Sequence, residues 1–201
     1  MSTDAHRVRP ARSGEWRALG EVLGAAFQDD PVWQWVTPDP ARRERHLGSA
    51  FGQLLKGRVA TGDVLTNEDL SGAALWTAPG AWRMTPRENL RMALPMTRAV
   101  GPASVLQRIR TLAVIDRHHP REPHWYLMII GAEPPKRGHG IGSALMEPMI
   151  SRCDEEGMPA YLESSKEENL AFYHRFGFEV TDELRIHPDS PPMWTMWRNP
   201  R

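Results

Sequence analysis

An α/β fold with a mixed sheet is predicted for this chain of 201 residues, from two observations in its second half. The segment WYLMIIGA (125–132) is apolar at successive positions, so both faces of this strand are covered, as in the middle of an α/β sheet. A glycine-rich loop, a helix over 140–157 and a second strand, AYLESS (160–165), follow it. Together they form a βαβ unit, in which the two strands lie parallel.

The first half of the chain predicts short strands alternating with helices. One strand, HRVRPA, comes first, and DVLTN and LSGAALWTAP form a hairpin around Glu68-Asp69. Ser13 is the expected N-cap of the first helix, and the segment 28–40 reads as a loop punctuated by three prolines. Helices are predicted over residues 13–27, 41–60, 86–98 and 102–117.

The elements after the parallel pair are short. EENLAFYHRFG predicts a helix that ends at Gly177, and FEVTDELRI and MWTMWR predict two final strands. Pro148, inside the helix over 140–157, removes the hydrogen bond to the Ala144 carbonyl, and a kink is expected there. No internal repeat or linker marks a boundary, so a single domain over 1–201 is expected.

Composition and charge exclude several function classes. The chain holds 25 Lys and Arg against 25 Asp and Glu, so no attraction to nucleic acid or to a membrane is expected, and the basic run ARRERH reads as a solvated helix face. The longest strongly apolar run, WYLMII, is too short to span a bilayer, and the first residues lack the apolar region of a signal peptide. Cys153 is the only cysteine, which leaves no intrachain disulfide and favours a cytoplasmic location.

The loop PPKRGHGIGSALM (134–146) combines Arg137 with glycines at 138, 140 and 142 just before a helix. It lacks the Gly-Lys-Ser/Thr of a Walker loop, and Ser143 stands where a dinucleotide fingerprint needs glycine. The remaining Arg-x-x-Gly-x-Gly spacing places consecutive backbone amides at a helix N-terminus, where they bind an anion. The loop therefore indicates a pyrophosphate site, and a tight turn into a helix is the alternative.

Three segments, in this order, resemble the GNAT acetyltransferase superfamily: IIGAEPPKRGHGIGSALM, AYLESS, and NLAFYHRFGFEV with its Tyr-x-x-x-Gly-Phe ending. The resemblance implies a strongly twisted mixed sheet of about six to seven strands, flanked by helices and split between the two central parallel strands. It also implies acetyl-CoA as the cosubstrate, without a metal.

For acetyl-CoA, the resemblance implies contacts made mostly by backbone groups. The strand 130–132 would hold the pantetheine arm, and the amides of 138–143 would hold the pyrophosphate. Arg137 would pair with a phosphate, or is a solvated loop charge, and Asn169 would contact the pantetheine or the helix turn. The implied cofactor-binding residues are Ile130, Gly131, Ala132, Arg137, Gly138, His139, Gly140, Ile141, Gly142, Ser143 and Asn169.

Tyr173 is the implied general acid. The family keeps a tyrosine near the CoA sulfur at this place, and a phenol holds its proton at pH 7 and can protonate a thiolate. Glu163, a carboxylate in a mostly apolar strand, is the candidate base, and a structural ion pair or hydrogen bond is the alternative. Three histidines are further candidates for the base: His118, His119 and His124.

The acceptor is expected to bind between the segments 29–36 and 76–82. Two aspartates there can attract a cationic amine, and three tryptophans can form an apolar or cation–π wall; a turn and core packing are the alternatives. The expected acceptor-binding residues are Asp29, Asp30, Trp33, Trp35 and Trp76.

The sequence thus predicts direct acetyl transfer, through a ternary complex, to a small-molecule primary amine with an aromatic or bulky apolar body. A monomer or a homodimer is expected. The alternatives are an acyl-CoA sensor without turnover, an enzyme that uses a longer acyl-CoA, and an acetyltransferase acting on a protein amine.

Overall fold

The computed structural model describes residues 7–101 and 113–201. It contains a seven-stranded sheet in the order β1-β2-β3-β4-β5-β7-β6. The strands are β1 (Val8–Pro10), β2 (Val64–Asn67), β3 (Gly72–Thr77), β4 (Trp125–Ala132), β5 (Ala160–Ser164), β6 (Glu179–Arg185) and β7 (Pro192–Arg198). Every neighbouring pair is antiparallel except β4 and β5, which are parallel as predicted.

Helices cover both faces of the sheet. They are α1 (Trp16–Ala26), α2 (Pro31–Val36), α3 (Pro40–Arg58), α4 (Pro86–Val100), α5 (113–118), α6 (Ile141–Glu155) and α7 (Leu170–His174). The helix predicted over 102–117 lies mostly outside the described residues, which include only its last part. None of the helices within the described ranges is long and apolar enough to cross a membrane.

The central strand β4 contributes to the hydrophobic core on both faces. Leu127 packs with Leu145 and Met146 of α6 on one face. On the other face, Ile129 packs with the buried residues of α1 and α3, such as Leu23 and Phe51. The apolar character of successive residues in β4, read from the sequence, therefore reflects burial on both sides.

Two predictions about helix starts are corrected by the structure. Ser13 does not cap α1; Glu15 is the N-cap residue, and its carboxylate accepts from the Arg12 amide (2.7 Å) and pairs with Arg9 (2.9 Å). The segment 28–40, predicted as a loop, contains α2, because the Asp30 side chain accepts from the Trp33 amide (2.9 Å) and a proline occupies the first helical position.

The sheet splits between β4 and β5, as the resemblance implied. Pairing between β4 and β5 covers only three residue pairs and ends at Leu127 and Leu162. Beyond that point β4 remains paired with β3, and the register between these two strands skips Met128, which is a β-bulge. The backbone over 129–132 therefore has no strand partner on the β5 side.

Candidate active site

The glycine loop and the start of α6 expose backbone amides. Gly138 and Gly140 have φ of 79° and 81°, in the left-handed region that favours glycine. Gly140 is the N-cap residue, and no side chain caps the helix. The Ala144 amide donates to the Gly140 carbonyl (2.9 Å), which leaves the preceding N–H groups without an acceptor inside the helix. Such a helix start attracts an anion.

The backbone around the gap has polar groups that a CoA cosubstrate could contact. The unpaired edge of β4 over 129–132 offers amide and carbonyl groups to the amides of a pantetheine arm, as another strand would. At the loop, a Cβ on Gly142 would lie 3.3 Å from the Phe172 ring, so a side chain there would have to displace that ring. The loop thus requires small residues where a pyrophosphate would approach.

A cavity of about 1140 Å³ joins these features. It runs from the glycine loop, along the gap between β4 and β5, to α2 and α4. All of the expected cofactor-binding residues line it except His139, which is exposed and whose Nδ1 contacts the Arg137 carbonyl (3.0 Å). The cavity therefore extends beyond the glycine loop to the lining residues of α2 and α4.

Asp29 pairs with two basic side chains of the cavity lining, Arg137 and Lys166, and does not line the cavity itself. Its carboxylate accepts from both terminal nitrogens of Arg137 (2.8 and 3.2 Å), and the Lys166 ammonium lies 2.8 Å away. Hydrogen bonding to Arg137 and Lys166 lowers the pKa of Asp29 to about 2. Asp29 is not among the residues that line the cavity, so its expected contact with an amine is not supported by its position.

Tyr173 lines the cavity from α7. Its side chain is buried, and its ring packs against Phe172 and Phe178, with centroids 5.1 and 6.2 Å away. Burial, with a smaller effect of the Asp30 carboxylate, raises the pKa of the Tyr173 phenol above its ordinary value. The phenol therefore keeps its proton at neutral pH and can only donate it to a stronger base formed during the reaction, such as a thiolate.

Glu163 lines the same cavity from the end of β5. Its side chain is 5% exposed, and its Oε2 accepts from the Tyr126 hydroxyl (2.7 Å). Its Oε1 has no hydrogen-bond partner within the described part of the chain. Burial and the Glu163 charge raise the pKa of Tyr126, so this hydroxyl remains a donor. One carboxylate oxygen is therefore held in place while the other is free to accept a proton.

At the acceptor end, Asp30 and Trp33 line the cavity. Asp30 is buried and accepts a hydrogen bond from the Ser165 hydroxyl, and burial raises the pKa of its carboxyl. Trp33 meets the Phe51 ring edge-on at 5.1 Å. Asp30 thus combines the capping of α2 with a place in the cavity wall.

The other two expected tryptophans lie elsewhere. Trp76 is 1% exposed and packs in the core between the sheet and α6. The ring of Trp35 stacks with that of His187, with centroids 6.5 Å apart. Neither lines the cavity, whereas Trp33 does, together with residues that the sequence pattern did not single out.

The residues missed by the sequence reading are Trp82 and a set of methionines. They line the cavity from α4, from the segment before it, from β4 and from β7. Methionines spaced four apart in α4 were a visible signal, but that spacing is also typical of an ordinary core face. The methionines are Met84, Met92, Met96, Met128 and Met193.

This fold and site define a class of protein. A parallel strand pair that opens after three residue pairs, a glycine loop at the following helix and a tyrosine beside the gap form the GNAT fold. The family model described as the acetyltransferase (GNAT) family matches residues 103–178. The class indicated is an N-acetyltransferase, and these findings support the GNAT acetyltransferase family for this chain.

Similar proteins agree with this class. The chain is 27% identical over 198 residues to an uncharacterized N-acetyltransferase of Schizosaccharomyces pombe, covering 92% of this chain and 80% of that protein. Its structure is similar to that of histone acetyltransferase HPA2 and related acetyltransferase from Corynebacterium glutamicum, with 26% identity, 96% of each chain covered and a TM-score of 0.70. It also matches a Drosophila melanogaster polyamine N-acetyltransferase, with 18% identity, 96% and 99% coverage and a TM-score of 0.63.

Proposed function

We propose that this chain, acting as one domain, transfers an acetyl group from acetyl-CoA to the primary amine of a small molecule, by direct attack within a ternary complex. One observation carries the proposal. A single continuous cavity is lined by the glycine loop, by Tyr173, by Glu163 and by an apolar chamber at the far end. Cosubstrate, proton donor, proton acceptor and acceptor molecule therefore share one space.

The side chains divide the proton chemistry between them. Acetyl-CoA supplies an activated acetyl thioester. Glu163 accepts the proton of the amine at its free Oε1, while the Tyr126 hydroxyl holds the other oxygen. Tyr173 gives its phenolic proton to the departing sulfur, since burial keeps that proton in place until a thiolate forms.

The apolar chamber favours a compact amine with an aromatic or bulky apolar body. Its methionines adapt to ligands of different shape, and the rings of Trp33 and Trp82 offer faces for an aromatic or cationic group. Asp30 and Glu163 are the buried carboxylates of the lining and suit the positively charged amine.

Two resemblances support a small acceptor. The segments AAFQDDPVWQWVTPD, LWTAP and REPHWYL resemble puromycin N-acetyltransferase, which acetylates an aminonucleoside antibiotic. The Drosophila enzyme that shares the fold forms N-acetylagmatine from a small cation.

A protein amine is the second candidate acceptor, since the similar Corynebacterium structure is described as a histone acetyltransferase and relative. A protein tail needs an extended groove, and this chamber is lined by α2, α4, β4 and β7. A sensor without turnover would need neither a proton donor nor a free carboxylate oxygen.

An acceptor screen with a thiol readout tests the proposal. Release of free CoA thiol would be followed with aminonucleosides, aryl-alkylamines, polyamines and histone-like peptides. We expect turnover with one of the first three classes. Turnover confined to the peptides would overturn the small-molecule acceptor, and acetyl-CoA binding without thiol release from any amine would favour the sensor.

A further inference from the structure

A buried histidine pair lies beside Glu163. His119 follows α5, and His124 immediately precedes β4. The side chain of His119 is 0% exposed, and His124 as a whole is 4% exposed. Their Nε2 atoms are 3.1 Å apart, and the Nδ1 of His119 lies 3.9 Å from Oε1 of Glu163. The three side chains thus form a continuous row that begins in the cavity.

The hydrogen bonds determine which nitrogen carries each proton when both rings are neutral. His124 Nδ1 lies 2.6 Å from the Glu122 carbonyl, which can only accept, so this nitrogen carries a proton. The Nε2 of His124 is then an acceptor, and the hydrogen bond between the rings requires a proton on Nε2 of His119. The Nδ1 of His119, which faces Glu163, is left with a lone pair.

Two proton acceptors therefore face each other in a buried place. Neither Nδ1 of His119 nor Oε1 of Glu163 has a hydrogen-bond partner among the described residues. The two acceptor atoms are 3.9 Å apart, which is longer than a hydrogen bond. A proton on either atom converts the two acceptors into a donor and an acceptor. The arrangement is thus incomplete without one proton.

The surroundings of the pair hold the rings in place. Trp82 stacks on His119 with centroids 3.7 Å apart, and the rings of Tyr126 and Tyr161 meet His119 edge-on at 4.9 and 5.1 Å. On the other side, Trp197 and Tyr161 pack against His124, at 5.5 and 5.4 Å. Burial lowers the pKa of His124, so it is neutral before a proton arrives.

The proposed reaction requires a place for such a proton. An alkylamine enters as a cation and leaves as an amide, so its nitrogen gives up two protons. The CoA sulfur gains one, through Tyr173, and the other is released to water. A single carboxylate can hold only one of the two, so the first must leave Glu163 before the second arrives.

We propose that His119 and His124 take this first proton from Glu163 and hold it during the chemical step. This inference rests on the proposed function. Glu163 Oε1 accepts a proton from the ammonium group and passes it to Nδ1 of His119. The pair then shares one positive charge across the hydrogen bond between its Nε2 atoms, and Glu163 is again a carboxylate.

The remaining steps return each catalytic group to its starting protonation state. As the C–N bond forms and the C–S bond breaks, Glu163 takes the second proton of the nitrogen, and Tyr173 gives its own proton to the sulfur. After the products leave, the proton on Glu163 restores Tyr173 through water in the cavity. The histidine pair then returns its proton to Glu163, from which it passes to bulk water.

Chemical rescue tests the proposal on the full chain. A second cavity of about 700 Å³, lined by His119 and by exposed residues such as Arg83 and Arg121, offers a small molecule access to the space left by His119→Ala. We expect this variant to lose about 100-fold in kcat, at the lower end of general acid–base effects, with acetyl-CoA affinity unchanged. Imidazole should restore the rate. Pyrazole, which has the same size but is a far weaker base, should not.

Two further variants keep the test decisive. His118→Ala is the matched control, because His118 is exposed and its Nδ1 contacts the Val114 carbonyl (2.8 Å), so its rate should equal that of the unchanged protein. His124→Phe keeps the ring packing and should lower kcat like His119→Ala. The double variant should be no slower than either one, since the two residues act as a unit.

A measurement without turnover separates this inference from the proposed function. ¹⁵N NMR of the imidazoles in the ligand-free protein should show His119 protonated on Nε2 alone and His124 on Nδ1 alone. A proton already on Nδ1 of His119 would overturn the relay whatever the reaction. Equal rescue by imidazole and pyrazole, or His119→Ala within twofold of the unchanged rate, would also overturn it. Absence of thiol release from the unchanged protein would instead refute the proposed function.

Discussion

The suitability of Tyr173 as a proton donor comes from its surroundings. A solvated phenol already keeps its proton at pH 7, but its hydrogen bonds to water would compete with the sulfur. Burial between Phe172 and Phe178 removes that water and, with Asp30, raises the pKa of the phenol. Tyr173 therefore acts only as a donor of its phenolic proton.

Tyr173→Phe keeps the ring and removes the proton. We expect kcat to fall by about 10- to 1000-fold with little change in acetyl-CoA affinity, since the interaction lost is one made only during the reaction. Steady-state thiol release, with acetyl-CoA affinity from calorimetry as the control, measures both quantities. A rate held within twofold would show that water or another group protonates the sulfur.

Gly140 and Gly157 form a natural pair for testing the anion site. Both have positive φ (81° and 61°), and they lie at opposite ends of α6, but only Gly140 lines the cavity. Gly140→Asp would place a carboxylate beside the amides proposed to bind the pyrophosphate, and we expect acetyl-CoA affinity to fall at least about 100-fold. Gly157→Asp introduces similar backbone strain and should leave the affinity unchanged. Unchanged calorimetric affinity in the Gly140 variant would contradict the pyrophosphate assignment.

At the scale of elements, α1 and α3 approach each other through glycines that the sequence reading did not use. A Cβ on Gly20 would lie 2.5 Å from the backbone of Gly52, and a Cβ on Gly24 would lie 2.6 Å from that of Gly48. Two glycines on each helix, spaced four residues apart, therefore let the two backbones meet. This contact positions the segment after α1, which carries Asp29 and Asp30.

Gly24→Ala should separate the two helices. We expect the free energy of unfolding to fall by about 1–3 kcal/mol, because the methyl group meets backbone atoms that cannot rotate away, even though alanine favours a helix. Gly14→Ala is the control, since a Cβ there meets nothing within 4 Å. Urea denaturation of both variants measures the difference. Equal stability would mean that the helices can shift without cost.

At the scale of the whole molecule, the proposed acceptor chamber is built by parts that are distant in the chain. The segment before α4, α4 itself, β4 and β7 each contribute methionine, while α2 contributes Trp33. Because methionine is unbranched and flexible, such a wall can accommodate more than one apolar shape. We therefore expect the chamber to limit the size of the acceptor rather than to select one shape.

Met96→Phe should reduce that limit. We expect kcat/KM for a bulky aryl-alkylamine to fall about 10-fold relative to a short alkylamine, the usual scale of discrimination by pocket volume. Leu94→Phe, on the same helix but 58% exposed, should leave the ratio unchanged. Competition between the two amines gives the ratio directly. The same ratio in both variants would show that the acceptor does not bind at this end of the cavity.

Local patterns in the sequence were enough for the βαβ unit, the parallel pair and the glycine loop. Apolar residues on both faces of β4, glycines at fixed spacing and a tyrosine before Gly-Phe are all signals carried by neighbours in the chain. The start of α2 also depends on neighbouring residues, since Asp30 is an N-cap residue and Pro31 occupies the first helical position. The three prolines of the segment 28–40 nevertheless favoured the prediction of a loop.

The acceptor end and the base region depended on the tertiary structure. Trp33, Trp35 and Trp76 are equally plausible wall residues in the sequence, yet only Trp33 lines the cavity, because helix and strand geometry turn the other two away. His119 and Glu163 are 44 positions apart in the chain and meet only because β4 and β5 pair before they diverge. Residue types are local information, whereas the direction of a side chain depends on which elements pack around it.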